Sequence, residues 1–232
     1  MLQDLPVRDF TDAATIRLIS TAYVDEPAMA PLADTAGELD FLAEIEALTS
    51  ARQTGELPVP DGIHPLELQN ERHGYGWTYV NAAFCYTRAD GGRFNGPERG
   101  AWYAAYGEDA AATTRAEVTF HLTRELEATG CFENITFYRE LLAGFTTRFH
   151  DLSGCKEEAF LAADPHQAYP AGQALAREVL AADGNGVLYP SARRPGGKCL
   201  AAFRPNLVQN IRQGRTWVFE WQGVPVPLIS ER

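Results

Sequence analysis

Residues 91–106 read GGRFNGPERGAWYAAY. A charged, glycine-rich turn runs straight into aromatic and small apolar residues. That texture predicts a hairpin turn feeding a short buried strand, GAWYAAY. Arg93 sits in the turn between Gly92 and Phe94. Its guanidinium is a rigid fork of donors that suits a carboxylate or phosphate. Neighbouring glycine N–H groups also face anions and let a ligand approach the main chain. Taken alone, the same residues read first as a solvated turn whose arginine makes a surface ion pair.

Upstream of the turn, GYGWTYVNAAFCYT from Gly74 alternates Tyr75, Trp77 and Tyr79, which predicts another strand. Further back, residues 12 to 23 carry Ala13, Ile16, Ile19, Ala22 and Tyr23 at helical spacing, with Asp12 available as a cap. Residues 34 to 53 repeat the pattern with Leu39, Leu42, Ile45 and Leu48. LPVPDGIHP, with three prolines, reads as an extended linker. Residues 1–65 are therefore expected to be a helical extension and residues 66–232 the main domain.

Downstream, residues 110 to 128 predict a helix stopped by Gly130. ENITFYRELL and FTTRFHDL read as two strands, and AYPAGQALAREVLAADG as a helix. GVLYPSARRPGGKCLAAFRP reads as strand, turn, strand, and TWVFEWQG as a strand near the end. The sum is an α+β fold of short, mostly antiparallel strands with helices packed on them.

The 232 residues suffice for a core that needs no disulfide or metal. Apolar content of 45% and charged content of 22% are those of an ordinary globular chain. The net charge of −11 argues against direct nucleic-acid binding, which needs a basic face, but leaves room for one basic pocket. Cys85, Cys131, Cys155 and Cys199 are too widely spaced for a metal knuckle, so reduced thiols and a cytoplasmic location are expected. Asp4, Arg8, Asp9 and Asp12 interrupt any signal-peptide core, and no run approaches the length of a membrane span.

Four further residues could carry chemistry. Glu117 lies in the helix after the turn and strand. TRAE, residues 114 to 117, matches a capping box, in which Glu117 would fold back on the helix end. If the helix starts near Asp109 instead, Glu117 is mid-helix, where a buried carboxylate needs a partner or a task. His121 shares its face at i+4, a spacing that can bind metal but lacks a further ligand set here. Ser191, in YPSARR, can cap a turn or contact a phosphate or amide. It lacks the G-x-S-x-G elbow of a hydrolase nucleophile. Tyr103, in AWYAAY, is a core residue by default, although aromatic faces also bind planar or cationic rings.

Order and context together point to one family. G-G-R-F-N-G-P-x-R-G-x-x-Y-A-A, then a helix with A-E-x-x-x-H, then G-V-x-Y-P-S-A-R with G-G-x-C-x-x-x-F-R-P, resembles the RES-domain family over about residues 74 to 205. By position, its arginine falls on Arg93, its tyrosine on Tyr103, its glutamate on Glu117 and its serine on Ser191. The resemblance implies an ADP-ribosyltransferase-like fold and an enzyme acting on NAD⁺. It implies a toxin that cleaves the nicotinamide–ribose bond by hydrolysis or phosphorolysis, neutralised by an Xre-type helix-turn-helix antitoxin. A protein mono-ADP-ribosyltransferase is the nearer alternative, and a non-enzymatic acidic binding module the remoter one. Arg93, Glu117 and Tyr103 would then be catalytic. Ser191, Asn95, Gly92 and Arg193 would bind substrate. No metal is expected, and without a Rossmann fingerprint NAD⁺ would be substrate rather than cofactor.

Overall fold

The computed structural model describes residues 2–21, 35, 37, 38, 41, 59–155 and 157–232. Seven strands form one sheet: β1 (Val7–Ser20), β2 (Trp102–Ala105), β3 (Glu133–Asp151), β4 (Gly186–Pro190), β5 (Lys198–Ala202), β6 (Gln209–Gln222) and β7 (Leu228–Glu231). Their order is β1-β2-β5-β4-β3-β6-β7, and β1 also pairs with β3. The extra pairing closes β1, β2, β5, β4 and β3 into a ring. β3 is the pivot. Its C-terminal end runs parallel to β4 through His150↔Val187 and Asp151↔Leu188, while the rest of the same edge takes β6 antiparallel. All other pairings are antiparallel.

Among the described residues, three α-helices cover this sheet: α1 (Trp77–Cys85), α2 (Ala110–Thr129) and α3 (Pro165–Ala181). α1 contributes Val80 and Phe84 to a core with Trp102, Leu141, Phe145 and Phe149. α3 buries Leu175, Ala176 and Val179 against Val187, Ala201 and Phe203. α2 lays Val118, Leu122 and Leu126 over Leu18, Trp217, Phe219 and Trp221.

The α+β class and the positions of β2, α2, α3, β4 and β5 follow the expectation. Three elements correct it. Residues 12 to 20 are not helical: they belong to β1, which pairs with β3 from Val7↔His150 to Ser20↔Tyr138. The half of β1 after the bulge is covered on both faces, since Leu18 enters the third core and Ile19 packs on the first. A bulge between Asp12 and Thr15, where Asp12 Oδ1 accepts from Ala14 N at 2.8 Å, resets the alternation. The buried residues Phe10, Thr15 and Leu18 therefore lack the period of two that marks a half-buried strand.

The second correction concerns GYGWTYVNAAFCYT, which is helix α1 rather than a strand. Its buried set, Val80, Asn81, Phe84 and Cys85, has helical spacing, and the alternating aromatics only mimic a strand. Asn81 secures the helix by exchanging bonds with the Gln69 main chain, both at 2.9 Å. Third, the two strands expected between 133 and 151 are one continuous strand. Strand β7 was not anticipated, and the helix expected over 34 to 53 lies almost wholly outside the described residues.

Candidate active site

The turn that carries Arg93 is built from its own backbone. Gly92 N donates to Asn95 O at 2.8 Å, and the two residues bridge as a minimal hairpin. A Cβ on Gly92 would lie 2.5 Å from Asn95 Oδ1 and 3.0 Å from the Tyr103 hydroxyl, so only glycine fits. Tyr103 reaches back from β2: its hydroxyl donates to Asn95 Oδ1 and accepts from Phe94 N, both at 2.8 Å. Both bonds are spent on holding the turn. Burial pushes this phenol well above its ordinary range. Asn95 Nδ2 donates to Gly96 O at 3.0 Å.

Arg93 is buried, 9% exposed. Its Nη1 donates to Phe160 O at 2.8 Å and Ala162 O at 2.9 Å. The guanidinium thus has one nitrogen fixed on main-chain carbonyls, while the residue lines a cavity of about 370 Å³. That volume is in the range of small-ligand sites.

α2 forms the facing wall. It starts at Ala110, with Asp109 as N-cap. Thr114 is therefore not a cap, and its hydroxyl donates instead to Ala110 O at 2.7 Å inside the helix. Glu117 is consequently mid-helix and lines the same cavity as Arg93, Tyr103, Asn95, Gly92 and Arg193. Ser191 lies behind this wall. Its hydroxyl donates to Glu117 Oε1 at 2.5 Å and accepts from Arg193 N and Arg194 N, both at 3.1 Å. Every site residue read from the sequence is thus brought to one place, Ser191 through its bond to Glu117. Arg193 stacks its guanidinium 3.3 Å over the Phe120 ring and donates from Nη2 to Ala163 O at 2.6 Å.

The first strand supplies a residue that the sequence reading missed. Arg17 lines the cavity, lies 5.0 Å over the Trp102 ring, and donates from Nη1 to Tyr103 O at 3.3 Å. Among the described residues no carboxylate is within ion-pair distance of it. Burial brings its pKa down to about 10, and the Tyr103 phenol opposes that. A lone arginine between Ile16 and Leu18 in a β-branched stretch was the available signal. Tyr138 and Tyr169 also line the cavity. Arg88, at the same cavity, pairs with Glu125 at 2.8 Å.

The electrostatic result is a basic pocket in an acidic protein. Among the described lining residues, Arg17, Arg93 and Arg193 stand against Glu117, while Arg88 and Glu125 offset each other. His121, one turn beyond Glu117, records this field. Burial first, then Arg88, Arg193, Arg124 and Arg93, hold its pKa down at about 4, so the imidazole is neutral near pH 7. The cavity also touches Cys199, whose thiol burial pushes upward, out of the reactive range. No cluster of three or more His, Cys, Asp or Glu that could hold a metal occurs among the described residues. No helix there is long and apolar enough to cross a membrane.

No curated protein matches this chain. A chain in the crystal structure of the M. tuberculosis MbcT–MbcA toxin–antitoxin complex aligns with 98% of this chain and 89% of its own length. The sequences are 14% identical, and the TM-score is 0.46. The family model of the RES domain matches residues 68–222, two thirds of the sequence, and the chain belongs to the RES-domain family.

Proposed function

We propose that this protein is an NAD⁺-consuming toxin that cleaves the nicotinamide–ribose bond and is held in check by a cognate antitoxin. The observation that carries the reading is the convergence of Arg93 and Glu117 on one cavity. Breaking the glycosidic bond builds positive charge on the ribose. A fixed carboxylate beside it stabilises that charge without reorganising at the moment of reaction. Glu117 has Oε1 taken by the Ser191 hydroxyl, which orients the group and leaves Oε2 for the ribose hydroxyls. Arg93 has Nη1 taken by carbonyls, which leaves its other nitrogens for a pyrophosphate oxygen. Arg17 and Arg193 add the positive field a dinucleotide's two phosphates require. Tyr103 acts by shaping the turn.

NAD⁺ enters as substrate. The basic pocket disfavours a purely acidic binding module. An Xre-type antitoxin would block the cavity with an extended tail, its basic surface matching the −11 charge of this chain.

The test is incubation of purified, antitoxin-free protein with NAD⁺, with and without phosphate. Free nicotinamide with ADP-ribose, or with its 1″-phosphate, is the expected product set. Label retained on protein would move the assignment to ADP-ribosyl transfer, and NAD⁺ left intact would end it.

A further inference from the structure

Arg93 is held from outside the cavity by one continuous stretch of chain. The short 3₁₀ turn Ala159–Leu161 and the residue after it present Phe160 O and Ala162 O to Arg93 Nη1. Ala163 O takes Arg193 Nη2. Asp164 then caps α3, accepting from His166 N at 3.0 Å, with Pro165 opening the helix. Two turns on, the same helix touches the Arg93 turn again. A Cβ on Gly172 would lie 2.0 Å from Arg93 O, so helix and turn are in backbone contact. Next to it, Gln173 Nε2 donates to Asp90 O at 2.9 Å and Gly92 O at 3.1 Å. Gln173 is not among the residues that line the large cavity.

We propose that residues 160–173 brace the Arg93 turn, and that Gln173 is a positioning residue which sets the guanidinium from behind. The carbonyls at 160 and 162 fix the head of Arg93, while Gln173 fixes its main chain by bridging the carbonyls on either side of Gly91. An arginine clamped at both ends loses little freedom when a ligand arrives, and small displacements of such a group are costly in rate. Because Arg193 is tied to the adjacent carbonyl, one element registers two of the cavity's arginines.

The kinetic part rests on the NAD⁺ reading, and the structural part does not. Gln173→Glu keeps shape and size but replaces the two-carbonyl donor with an acceptor. Gln167→Glu, on the exposed side of the same helix, is the control for added charge. The first readout is the guanidinium NMR signals of Arg93 in ligand-free protein, assigned with Arg93→Lys. Slow, resolved rotation is expected in wild type and in Gln167→Glu, and averaged, broadened signals in Gln173→Glu. The second is NAD⁺ turnover, with KM raised roughly tenfold in Gln173→Glu relative to Gln167→Glu. Unchanged Arg93 signals in Gln173→Glu, or a KM equal to that of the control, would overturn the brace. If wild type turns over no NAD⁺, the functional reading falls and the Arg93 signals alone decide the brace.

Discussion

Ser191 Oγ stands 2.5 Å from Glu117 Oε1 and donates its proton there, although the two residues are 74 positions apart in the sequence. The serine hydroxyl is saturated by this bond and by two main-chain N–H groups. These bonds orient the Glu117 carboxylate, and the place a ligand phosphate would take on this hydroxyl is filled by protein groups. The two residues should therefore differ in kind when mutated. On the proposed reading, Glu117→Gln removes the charge that would face the ribose and is expected to cut NAD⁺ cleavage by roughly 10²–10³-fold. Ser191→Ala leaves that charge in place but unoriented, so a smaller loss is expected. Single-turnover release of nicotinamide measures both. A Ser191→Ala loss equal to that of Glu117→Gln would make the serine a direct participant.

Arg17 leads to a prediction about the N-terminal strand. Its guanidinium lies in the cavity wall with no carboxylate partner among the described residues, stacked on Trp102 and bonded weakly to Tyr103 O. Arg17→Met keeps the stem that packs on Trp102 and removes the charge. Affinity for NAD⁺ is expected to fall and its salt dependence to flatten, with the fold retained by circular dichroism. Affinity equal to wild type at low salt would show that Arg17 only ties β1 to β2.

Much of this site was legible in sequence, and the residues show why. Gly92, Arg93, Asn95 and Tyr103 lie within one turn and strand, where spacing alone fixes neighbours. α2 announced itself by composition, so Glu117 could be placed on it. Arg17 was not legible, because its half of the strand is covered on both faces and set off by the bulge at Asp12–Thr15, which removes the alternation a strand reading needs. The Ser191–Glu117 bond and the Phe160 and Ala162 carbonyls were illegible for another reason. They depend on which loops the closed ring of strands brings together, and no local pattern encodes that.

Both hydrogen bonds of the Tyr103 hydroxyl go to the Arg93 turn. Tyr103→Phe strips a donor from Asn95 Oδ1 and an acceptor from Phe94 N in a largely buried setting. Leaving such groups unpaired costs about 1–3 kcal/mol. The expected outcome is lower stability in urea unfolding, with NAD⁺ cleavage impaired through Arg93. A variant that unfolds like wild type yet loses cleavage would return Tyr103 to the catalytic role its position in the motif implied.

His121 makes stability depend on pH. An unperturbed imidazole titrates near 6.5, and the folded one near 4. Between those values the unfolded chain holds a proton that the folded chain refuses, so folding releases it and stability rises with pH. The contribution is complete above about pH 6.5 and declines as pH falls toward 4. His121→Asn should flatten that part of the profile, once the carboxylate titrations common to both proteins are subtracted. The groups that set the shift also predict a ligand effect. Arg88, Arg93, Arg124 and Arg193 repel the proton, while Glu117 and Glu125 line the same cavity with opposite charge. An anionic ligand among these arginines lowers the repulsion, raises the pKa of His121, and draws in a proton between pH 4 and 6.5. Calorimetric titration at pH 5.5 with ADP-ribose, whose pyrophosphate diester has no group titrating near that pH, in buffers of differing ionisation enthalpy, should show proton uptake in wild type that His121→Asn abolishes. Uptake that persists undiminished in the variant would place the titrating group elsewhere.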